Sequence, residues 1–155
     1  MPHLDPDLPF IRPVEPADLD AIVALEQRCF DRDAQTRRSL RYLLTRAHAI
    51  NLAAEVDNRL AGYLTLLLRR GARAARVYSI AVDATARGQG LAGQLLSMAD
   101  THAIQRGCNR MVCEVRASNR ASLALFTSHG YQRKRDLPAY YPGGEDGVRL
   151  EKRLT

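Results

Sequence analysis

The chain has 155 residues, of which 46% are apolar, and its formal net charge is +6. This length suits one domain, here residues 10–155 after an N-terminal tail of residues 1–9, and the apolar fraction excludes a disordered chain. No apolar run approaches the roughly 20 residues of a membrane-spanning helix, and the N-terminus does not resemble a secretory signal, so we expect a cytoplasmic protein.

The first third of the chain predicts one strand and two helices. The stretch "FIRPVEPADLD" (10–20) is typical of a short strand followed by a helix, because Pro16 suits a first helical turn and Asp18 lies where the helix dipole favours an acid. Apolar residues then recur at helical spacing, and Glu26 falls on or beside that stripe. The stretch "TRRSLRYLLTRA" (36–47) predicts a second amphipathic helix with leucines inward and arginines outward.

Three consecutive apolar runs of strand length follow and predict an antiparallel meander. The runs are "INLAAEV" (50–56), "LAGYLTLLL" (60–68) and "RVYSIAV" (76–82). Asp57-Asn58 between the first two runs is a hairpin signal, whereas "RRGARAA" (69–75) predicts a looser turn.

The rest of the chain alternates helices and strands, which gives the order β-α-α-β-β-β-α-β-α-β-β and a mixed-sheet α/β fold. The second predicted helix of this part has Ser118 or Asn119 as its N-cap, and the strand after it is interrupted by Pro138. In chain order these segments are a helix at 88–107, a strand at 109–115, a helix at 118–130, and strands at 131–141 and 146–154.

The cysteines and the basic residues limit the possible partners. Cys29, Cys108 and Cys113 form no C-x-x-C pair, which disfavours a disulfide framework and a structural metal site. Nearly all of the basic charge is arginine, and such a surface attracts anionic partners. The sequence shows neither an aromatic-interleaved basic patch nor a helix-turn-helix signature, so nucleic acid is a disfavoured partner.

The stretch "ARGQGLAGQLL" (86–96) contains a literal G-x-G-x-x-G at Gly88, Gly90 and Gly93. A dinucleotide-binding turn would follow the first strand directly and would have an acid near the end of the next strand, and neither condition holds here. The stretch nevertheless leads into a helix N-terminus, where unpaired backbone N–H groups favour an anion, and Arg87 adds a positive charge. The sequence therefore predicts a phosphate cradle of another kind.

The same stretch, preceded by "VYSIAVD", resembles the acyl-CoA signature of the GNAT superfamily of N-acyltransferases. The signature [R/Q]-x-x-G-x-[G/A] is met by Arg87, Gly90 and Ala92. Downstream, "CEVRASNRASLALFTSHGYQ" resembles the second motif of that family. The fragments "LEQRCF", "EVRASN" and "YYPGGEDGVRLEKRL" are most similar to the ribosomal-protein alanine N-acetyltransferase group, and the resemblance implies a GNAT fold whose fourth and fifth strands splay apart.

The resemblance implies acetyl-CoA as the co-substrate. Backbone amides of the glycine stretch would hold its diphosphate, and the fourth strand would pair with its pantetheine arm. A backbone N–H at Ile80 or Val82 would polarise the thioester carbonyl. The residues implied in cofactor binding are Ile80, Ala81, Val82, Arg87, Gly88, Gln89, Gly90, Leu91, Ala92, Gly93, Asn119 and Phe126.

Transfer of an acetyl group to an amine needs a neutral amine, a stabilised oxyanion and a departing thiolate. A carboxylate that relays a proton through water can neutralise the amine. Glu114, on the strand face opposite Cys113, is the first candidate, and the alternative is pairing with an arginine such as Arg76 or Arg116. Glu26 is the second candidate because an acid beside an apolar stripe is unusual, and its alternative is a place on the helix surface.

The sequence departs from the group at the position of its usual proton donor. The resemblance implies a tyrosine that protonates the thiolate, and here the matching residue is Phe126. A thiol pKa of about 8.5 makes thiolate a tolerable leaving group without an acid. A hydroxyl from Tyr131, Tyr140 or Tyr141 is a second explanation, and we take Tyr141 as the candidate. The third explanation is a domain that binds acyl-CoA with little catalysis.

The acceptor site is predicted near the loop "YYPGGEDG" (140–147), where the resembling group shapes its peptide entrance. The basic helix at 36–47 would flank the same side, so we expect an acceptor of acidic character, such as a peptide or protein N-terminus. A lysine side chain or a small-molecule amine is the alternative acceptor, and the protein is expected to be a monomer or a homodimer.

Overall fold

The computed structural model describes residues 9–30, 33–45 and 48–154. Within these residues, seven strands and four helices follow each other in the order that the sequence predicts, which confirms the α/β fold. The strands are β1 (Phe10–Pro13), β2 (Ala49–Val56), β3 (Arg59–Leu68), β4 (Ala74–Val82), β5 (Arg110–Arg116), β6 (Gln132–Leu137) and β7 (Gly147–Arg153). The helices are α1 (Leu19–Phe30), α2 (Arg37–Thr45), α3 (Leu91–Gln105) and α4 (Arg120–Ser128).

The strands form one mixed sheet in the order β1-β2-β3-β4-β5-β7-β6, in which only β4 and β5 are parallel neighbours. The predicted meander is confirmed. Asp57 and Asn58 link β2 to β3 with φ angles of 51° and 61°, the left-handed pair that a tight hairpin turn needs.

The parallel pair β4–β5 opens into a gap. Its ladder runs only from Ala74–Arg110 to Arg76–Val112, although β4 continues to Val82. The predicted splay of the fourth and fifth strands is therefore confirmed. Tyr78 stands out of register with β3 at the point where the strands part, and such a bulge bends the strand that carries it.

The sheet is covered on both faces, and β3 shows the alternation that this requires. Leu64 and Leu66 belong to the larger core cluster beneath α3, together with Leu95. Tyr63, which directly precedes Leu64 and points to the opposite face, belongs to a second cluster with Ile22 of α1 and with Leu40 of α2. The apolar runs of β2 to β4 are therefore buried on both sides.

Several predicted boundaries shift by a few residues. Pro16 lies in a short 3₁₀ turn, Pro16–Asp18, that precedes α1. Gly88 and Gly90 stand outside α3, because that helix begins at Leu91, whereas Gly93 lies within it. Asn119 is the N-cap of α4, where its side chain accepts a hydrogen bond from the Ser122 N–H at 3.1 Å. None of the helices in the described ranges is long and apolar enough to cross a membrane.

Candidate active site

The glycine stretch brings an open helix N-terminus to one end of the β4–β5 gap. Gly90, the N-cap of α3, has a φ of 76° and Gly88 has a φ of 86°, a conformation that other residues rarely adopt. A Cβ at either position would meet no atom within 4 Å, so the backbone conformation rather than space requires glycine. No side chain caps α3, which leaves its first N–H groups available to an anion.

Gly93 serves a different purpose from the other two glycines. A Cβ on Gly93 would lie 2.7 Å from Cε1 and 2.9 Å from Nε2 of His129, so the imidazole at the end of α4 occupies that space. The third glycine therefore allows α3 and α4 to approach each other at the rim of the anion site. The sequence motif alone does not reveal this contact, since His129 is remote along the chain.

A cleft of about 1160 Å³ extends from this helix N-terminus along the open edge of β4. It brings together most of the residues predicted to bind the cofactor, whereas Gln89 is not among its lining residues and Phe126 lines the neighbouring cleft. The predicted residues that line it are Ile80, Ala81, Val82, Arg87, Gly88, Gly90, Leu91, Ala92, Gly93 and Asn119. Several residues that were not predicted also line this cleft, among them Cys29, Phe30, Leu125 and His129.

The end of β4 presents backbone donors to the gap. The Asp83 N–H binds the Ala61 carbonyl on β3 at 2.7 Å. Because N–H groups alternate between the two edges of a strand, those of Ile80 and Val82 point away from β3, towards the open side. Donors in this position can bind an extended chain or polarise a carbonyl oxygen.

A second cleft of about 450 Å³ adjoins the first, since Phe30, Ile80, Asn119 and Ser122 line both. It brings together the three predicted catalytic residues, Glu114, Glu26 and Tyr141. These residues come from β5, from α1 and from the loop between β6 and β7. Phe126 of α4 lines the same cleft.

Glu114 is paired with arginines inside the second cleft. Its Oε1 accepts a hydrogen bond from Arg149 at 3.0 Å and forms an ion pair with Arg76 at 3.3 Å, and the side chain is 9% exposed. The predicted alternative of arginine pairing therefore holds for Arg76, whereas Arg116 binds other acids. Among the described residues no hydrogen bond reaches Oε2, which leaves that oxygen for a water or an amine.

Glu26 is fully buried, so its placement on a helix surface was a wrong alternative. Its Oε1 accepts hydrogen bonds from the hydroxyl of Tyr63 and, at 3.2 Å, from that of Ser79, and its Oε2 accepts one from the Gln35 N–H at 3.0 Å. Burial and the Glu26 charge raise the pKa of Tyr63, which keeps this phenol protonated. Glu26 thus joins α1 to β3, β4 and the segment before α2.

The tyrosines near Phe126 differ in their access to the cleft. Tyr131 packs edge-on against Phe126, with ring centroids 5.0 Å apart, and it is 1% exposed and lines neither cleft. Tyr140 and Tyr141 both line the second cleft. Burial, followed by Tyr140, raises the pKa of Tyr141 to about 12, so this phenol keeps its proton at neutral pH. The Arg116 guanidinium lies 4.4 Å from the centroid of the Tyr141 ring.

Known proteins share both this sequence pattern and this fold. The sequence model of the acetyltransferase (GNAT) family matches residues 19–131. An uncharacterized N-acetyltransferase of Methanocaldococcus jannaschii is 30% identical over 144 residues, which cover 92% of this chain and 90% of that protein. Other curated relatives are matched over a smaller share of their length, 38% and 34% for two of them.

Two further proteins are similar to this chain in sequence or in fold. The ribosomal protein bS18-alanine N-acetyltransferase of Escherichia coli is 38% identical over 77 residues, which cover 48% of this chain and 52% of that enzyme. The crystal structure of that E. coli enzyme superposes with a TM-score of 0.85 at 26% identity, covering 96% of this chain and 95% of that one. A Salmonella typhimurium protein solved with its cofactor acetyl-CoA has the same fold, with a TM-score of 0.77 at 20% identity over 95% of this chain and 94% of that one.

Proposed function

The chain belongs to the GNAT family of acetyltransferases, and from that premise we propose that it moves an acetyl group from acetyl-CoA to the N-terminal α-amine of a protein or peptide. The open N-terminus of α3 beside the gap between β4 and β5 is the observation that carries the donor half of this proposal. The E. coli relative that acts on a ribosomal-protein alanine supports the acceptor half.

The donor lies in the first cleft. The free N–H groups at the start of α3, with Arg87 beside them, bind the diphosphate of acetyl-CoA, because both the helix dipole and the guanidinium favour an anion. The pantetheine arm pairs with the open edge of β4 and contacts Asn119 on the opposite wall. The backbone N–H of Ile80 or Val82 then stabilises the tetrahedral oxyanion.

The acceptor amine enters the second cleft and attacks the thioester carbonyl directly, with both substrates bound. Glu114 removes a proton from the amine through a water, since its Oε2 has no partner among the described residues and its Oε1 is fixed by Arg76 and Arg149. Both oxygens of Glu26 already accept hydrogen bonds. Glu26 is therefore the second candidate base, and we assign it first to holding Tyr63 and Ser79 in place beside the gap.

The leaving thiolate takes its proton from Tyr141. Phe126 has no proton to give, and Tyr131 is buried away from both clefts. The raised pKa of Tyr141 keeps its phenol protonated throughout the range in which an amine becomes neutral. This assignment makes the loss of a tyrosine at position 126 compatible with activity.

The character of the acceptor is the finer part of the proposal. The carboxylate and guanidinium side chains on the wall of the second cleft are those of Glu26, Asp33, Glu114, Arg76 and Arg116, so the cleft itself has no excess of positive charge. A preference for acidic acceptors would come from α2, whose exposed arginines follow Gln35 at the cleft. We propose such acceptors, and faster acetylation of neutral or cationic peptides at low salt would contradict this part alone. We also propose a cytoplasmic location, which agrees with the three free cysteines.

The test is a search for the modified amine. We expect purified protein, incubated with cell extract and isotope-labelled acetyl-CoA, to label protein α-amines in preference to lysine side chains, as read by mass spectrometry. Glu114→Gln should retain acetyl-CoA binding in calorimetry and lose about 100-fold or more in turnover. Label found only on lysines or small amines would overturn the proposed acceptor.

A matched control removes donor binding without weakening the fold. Ala92 lines the first cleft in the first turn of α3. Ala92→Glu places a negative charge where the diphosphate would bind, while an acid at a helix N-terminus favours the helix itself. This variant should stay folded and label nothing. Tight acetyl-CoA binding by the parent protein, with no thiol released over diverse amines, would instead favour a binding module without useful catalysis.

A further inference from the structure

Two segments that are far apart in sequence meet across the mouth of the second cleft. One is the connection between α1 and α2, which contributes Asp33 and Gln35 to the cleft wall. The other is the loop between β6 and β7, which contributes Tyr140 and Tyr141. The described residues of both segments lie outside α1 to α4 and β1 to β7, so we expect their separation to depend on the side chains that join them.

Arg116, at the end of β5, is bonded to both segments. Its Nη1 lies 2.7 Å from Oε2 of Glu145 in the β6–β7 loop, and its Nη2 lies 2.9 Å from Oδ1 of Asp33. The face of its guanidinium covers the Tyr141 ring at 4.4 Å. A planar guanidinium suits this task because its donors point in fixed, divergent directions.

The Glu145 side of this bridge is reinforced. The Ser118 hydroxyl donates a hydrogen bond to Glu145, and the Glu145 carbonyl accepts one from the Tyr141 N–H at 3.1 Å. The Ser118 hydroxyl and then Arg116 lower the pKa of Glu145, so this carboxylate stays charged at neutral pH. Asp33 has the more exposed side chain, at 55% against 35% for Glu145, and is the weaker side of the bridge.

The Asp33 side of the bridge is connected to the buried carboxylate of Glu26. Two residues after Asp33, the Gln35 N–H donates a hydrogen bond to Oε2 of Glu26 at 3.0 Å. A segment fixed at Asp33 therefore also keeps the Gln35 amide on Glu26. Through one guanidinium, the entrance of the cleft is connected to the carboxylate at its base.

We propose that Arg116 is a positioning residue for the acceptor, because it fixes the two segments that form the entrance of the cleft and so sets the site into which the amine must fit. This proposal rests on the proposed transfer to an amine. The name entrance clasp is used below for Arg116, Asp33 and Glu145 together. The entrance clasp acts on acceptor binding and leaves the donor cleft, which Arg116 does not line, unaffected.

The test separates acceptor binding from donor binding and from overall stability. Arg116→Ala should raise the acceptor KM about 10-fold and change the acetyl-CoA KM by less than about 3-fold, because only acceptor binding depends on the two segments. Since Arg116 also lies over the Tyr141 ring, kcat should fall as well. Asp33→Asn and Glu145→Gln should each raise the acceptor KM by a smaller factor. Arg116→Lys should raise the acceptor KM less than Arg116→Ala does, because lysine keeps the positive charge. It should not reach the parent value, since an ammonium group cannot hold two carboxylates in the same fixed directions.

The control is a second arginine with the same kind of contacts that lines neither cleft. Arg12 bridges Asp18 at 2.7 Å and Glu55 at 2.9 Å, and its side chain is 20% exposed against 24% for Arg116. Arg12→Ala should lower the melting temperature and leave the acceptor KM unchanged. If the acceptor KM of Arg116→Ala is also unchanged, or if the acetyl-CoA KM rises by the same factor, the entrance clasp has no specific role.

Asp33→Asn also distinguishes the entrance clasp from direct recognition of the acceptor by Arg116. If Arg116 binds a carboxylate of the acceptor, removing its competitor Asp33 lowers the acceptor KM for acidic peptides, which would overturn the proposal. Hydrogen exchange without an acceptor keeps the test independent of the proposed function. The amides of Gln35 and Tyr141 should exchange faster in Arg116→Ala than in the parent protein or Arg12→Ala, whatever the enzyme acetylates.

Discussion

Tyr141 and Phe126 line the same cleft, and only Tyr141 carries a proton that a departing thiolate can take. Its side chain is partly buried beside Tyr140 and beneath Arg116, and this burial raises its pKa to about 12. The thiol that forms has a pKa of about 8.5, so the Tyr141 phenol is the weaker acid of the two. It can therefore donate its proton to the thiolate only through a transient, favourably placed hydrogen bond. Position therefore matters more than acidity for this residue.

We expect Tyr141→Phe to lower kcat about 10-fold or more with little change in the acetyl-CoA KM, because general-acid assistance acts only in the transition state. Phe126→Tyr should change kcat little in the parent protein, and it should recover part of the loss when combined with Tyr141→Phe. Steady-state assays that follow thiol release measure both effects.

Tyr140→Phe is the matched control, since Tyr140 lines the same cleft and lies edge-on to Tyr141 at 5.0 Å. Its kcat should remain near that of the parent. A large gain in kcat from Phe126→Tyr alone would show instead that the parent enzyme lacks an acid. Equal losses in Tyr140→Phe and Tyr141→Phe would point to packing rather than proton donation.

The sequence identifies some residues of the site and misses their partners, for a physical reason. Glu26 is noticed because an acid interrupts an apolar helical stripe, and that signal is local. Tyr63 and Ser79 form hydrogen bonds with Glu26, and they lie inside ordinary apolar runs on β3 and β4. The contact of Glu26 with Tyr63 and Ser79 depends on the register of the strands and on the bulge at Tyr78. Neither can be predicted from the residue spacing within one segment.

At the scale of elements, one close contact limits the distance between α3 and α4, the two helices that border the donor cleft. The His129 ring at the end of α4 fills the place of a side chain on Gly93 in α3. Both residues line the donor cleft, so the distance between the helices also determines the shape of its rim. A change at Gly93 therefore tests whether helix packing controls donor binding.

Gly93→Ala should change the free energy of unfolding by less than about 1 kcal/mol, because the gain in helix propensity offsets the displaced ring. The acetyl-CoA KM should rise several-fold, since His129 must rotate within the cleft. Chemical denaturation and steady-state kinetics measure the two effects separately.

The double variant Gly93→Ala with His129→Ala provides the control, because it removes the ring that the new methyl group meets. Its acetyl-CoA KM should return towards that of His129→Ala alone, the sign of coupling between neighbouring residues. Additive effects of the two substitutions would show that the contact does not determine the shape of the rim.

Elements with local signals were predictable, whereas their meeting points were not. The Asp57-Asn58 hairpin and the N-cap at Asn119, one of two predicted candidates, each depend on a few adjacent residues, and both are found. The start of α3 lies at Leu91 instead of the predicted residue 88. The splay of β4 from β5 was predicted from the resemblance to a family, since the residue pattern of neither strand marks the point where their ladder ends. The entrance clasp could not be predicted from the sequence, because Arg116, Asp33 and Glu145 lie in three separate segments.

At the scale of the whole molecule, a net charge of +6 makes the fold sensitive to the loss of its carboxylates. Among the described ion pairs, the connection from β1 to α1 has the best geometry. Arg12 contacts both oxygens of Asp18, at 2.7 and 2.8 Å, and the Glu15 N–H donates a further bond to Asp18 at 2.7 Å. The Arg12 hydrogen bonds lower the pKa of Asp18 despite its partial burial.

The lowered pKa of Asp18 determines how its contribution to the free energy of unfolding changes with pH. A carboxylate whose folded pKa lies below its unfolded value of about 3.9 contributes stability that is fully present above that value and is lost as pH falls through the folded pKa. Asp18→Asn removes this contribution, about 1 kcal/mol for a pair that water partly screens. The difference in unfolding free energy between the parent and Asp18→Asn should therefore be constant from about pH 5 to 7 and should shrink as pH falls below about 4.

Urea denaturation at a series of pH values measures this difference, and Asp136→Asn is its control. Asp136 pairs with Arg133 at 2.8 Å, but its side chain is 71% exposed against 13% for Asp18. An exposed pair contributes little, so the Asp136→Asn difference should stay near zero at every pH. If the Asp18→Asn difference persists undiminished at pH 3, the shape of the side chain rather than its charge joins β1 to α1. The acid sensitivity of the molecule would then have to arise from its other carboxylates.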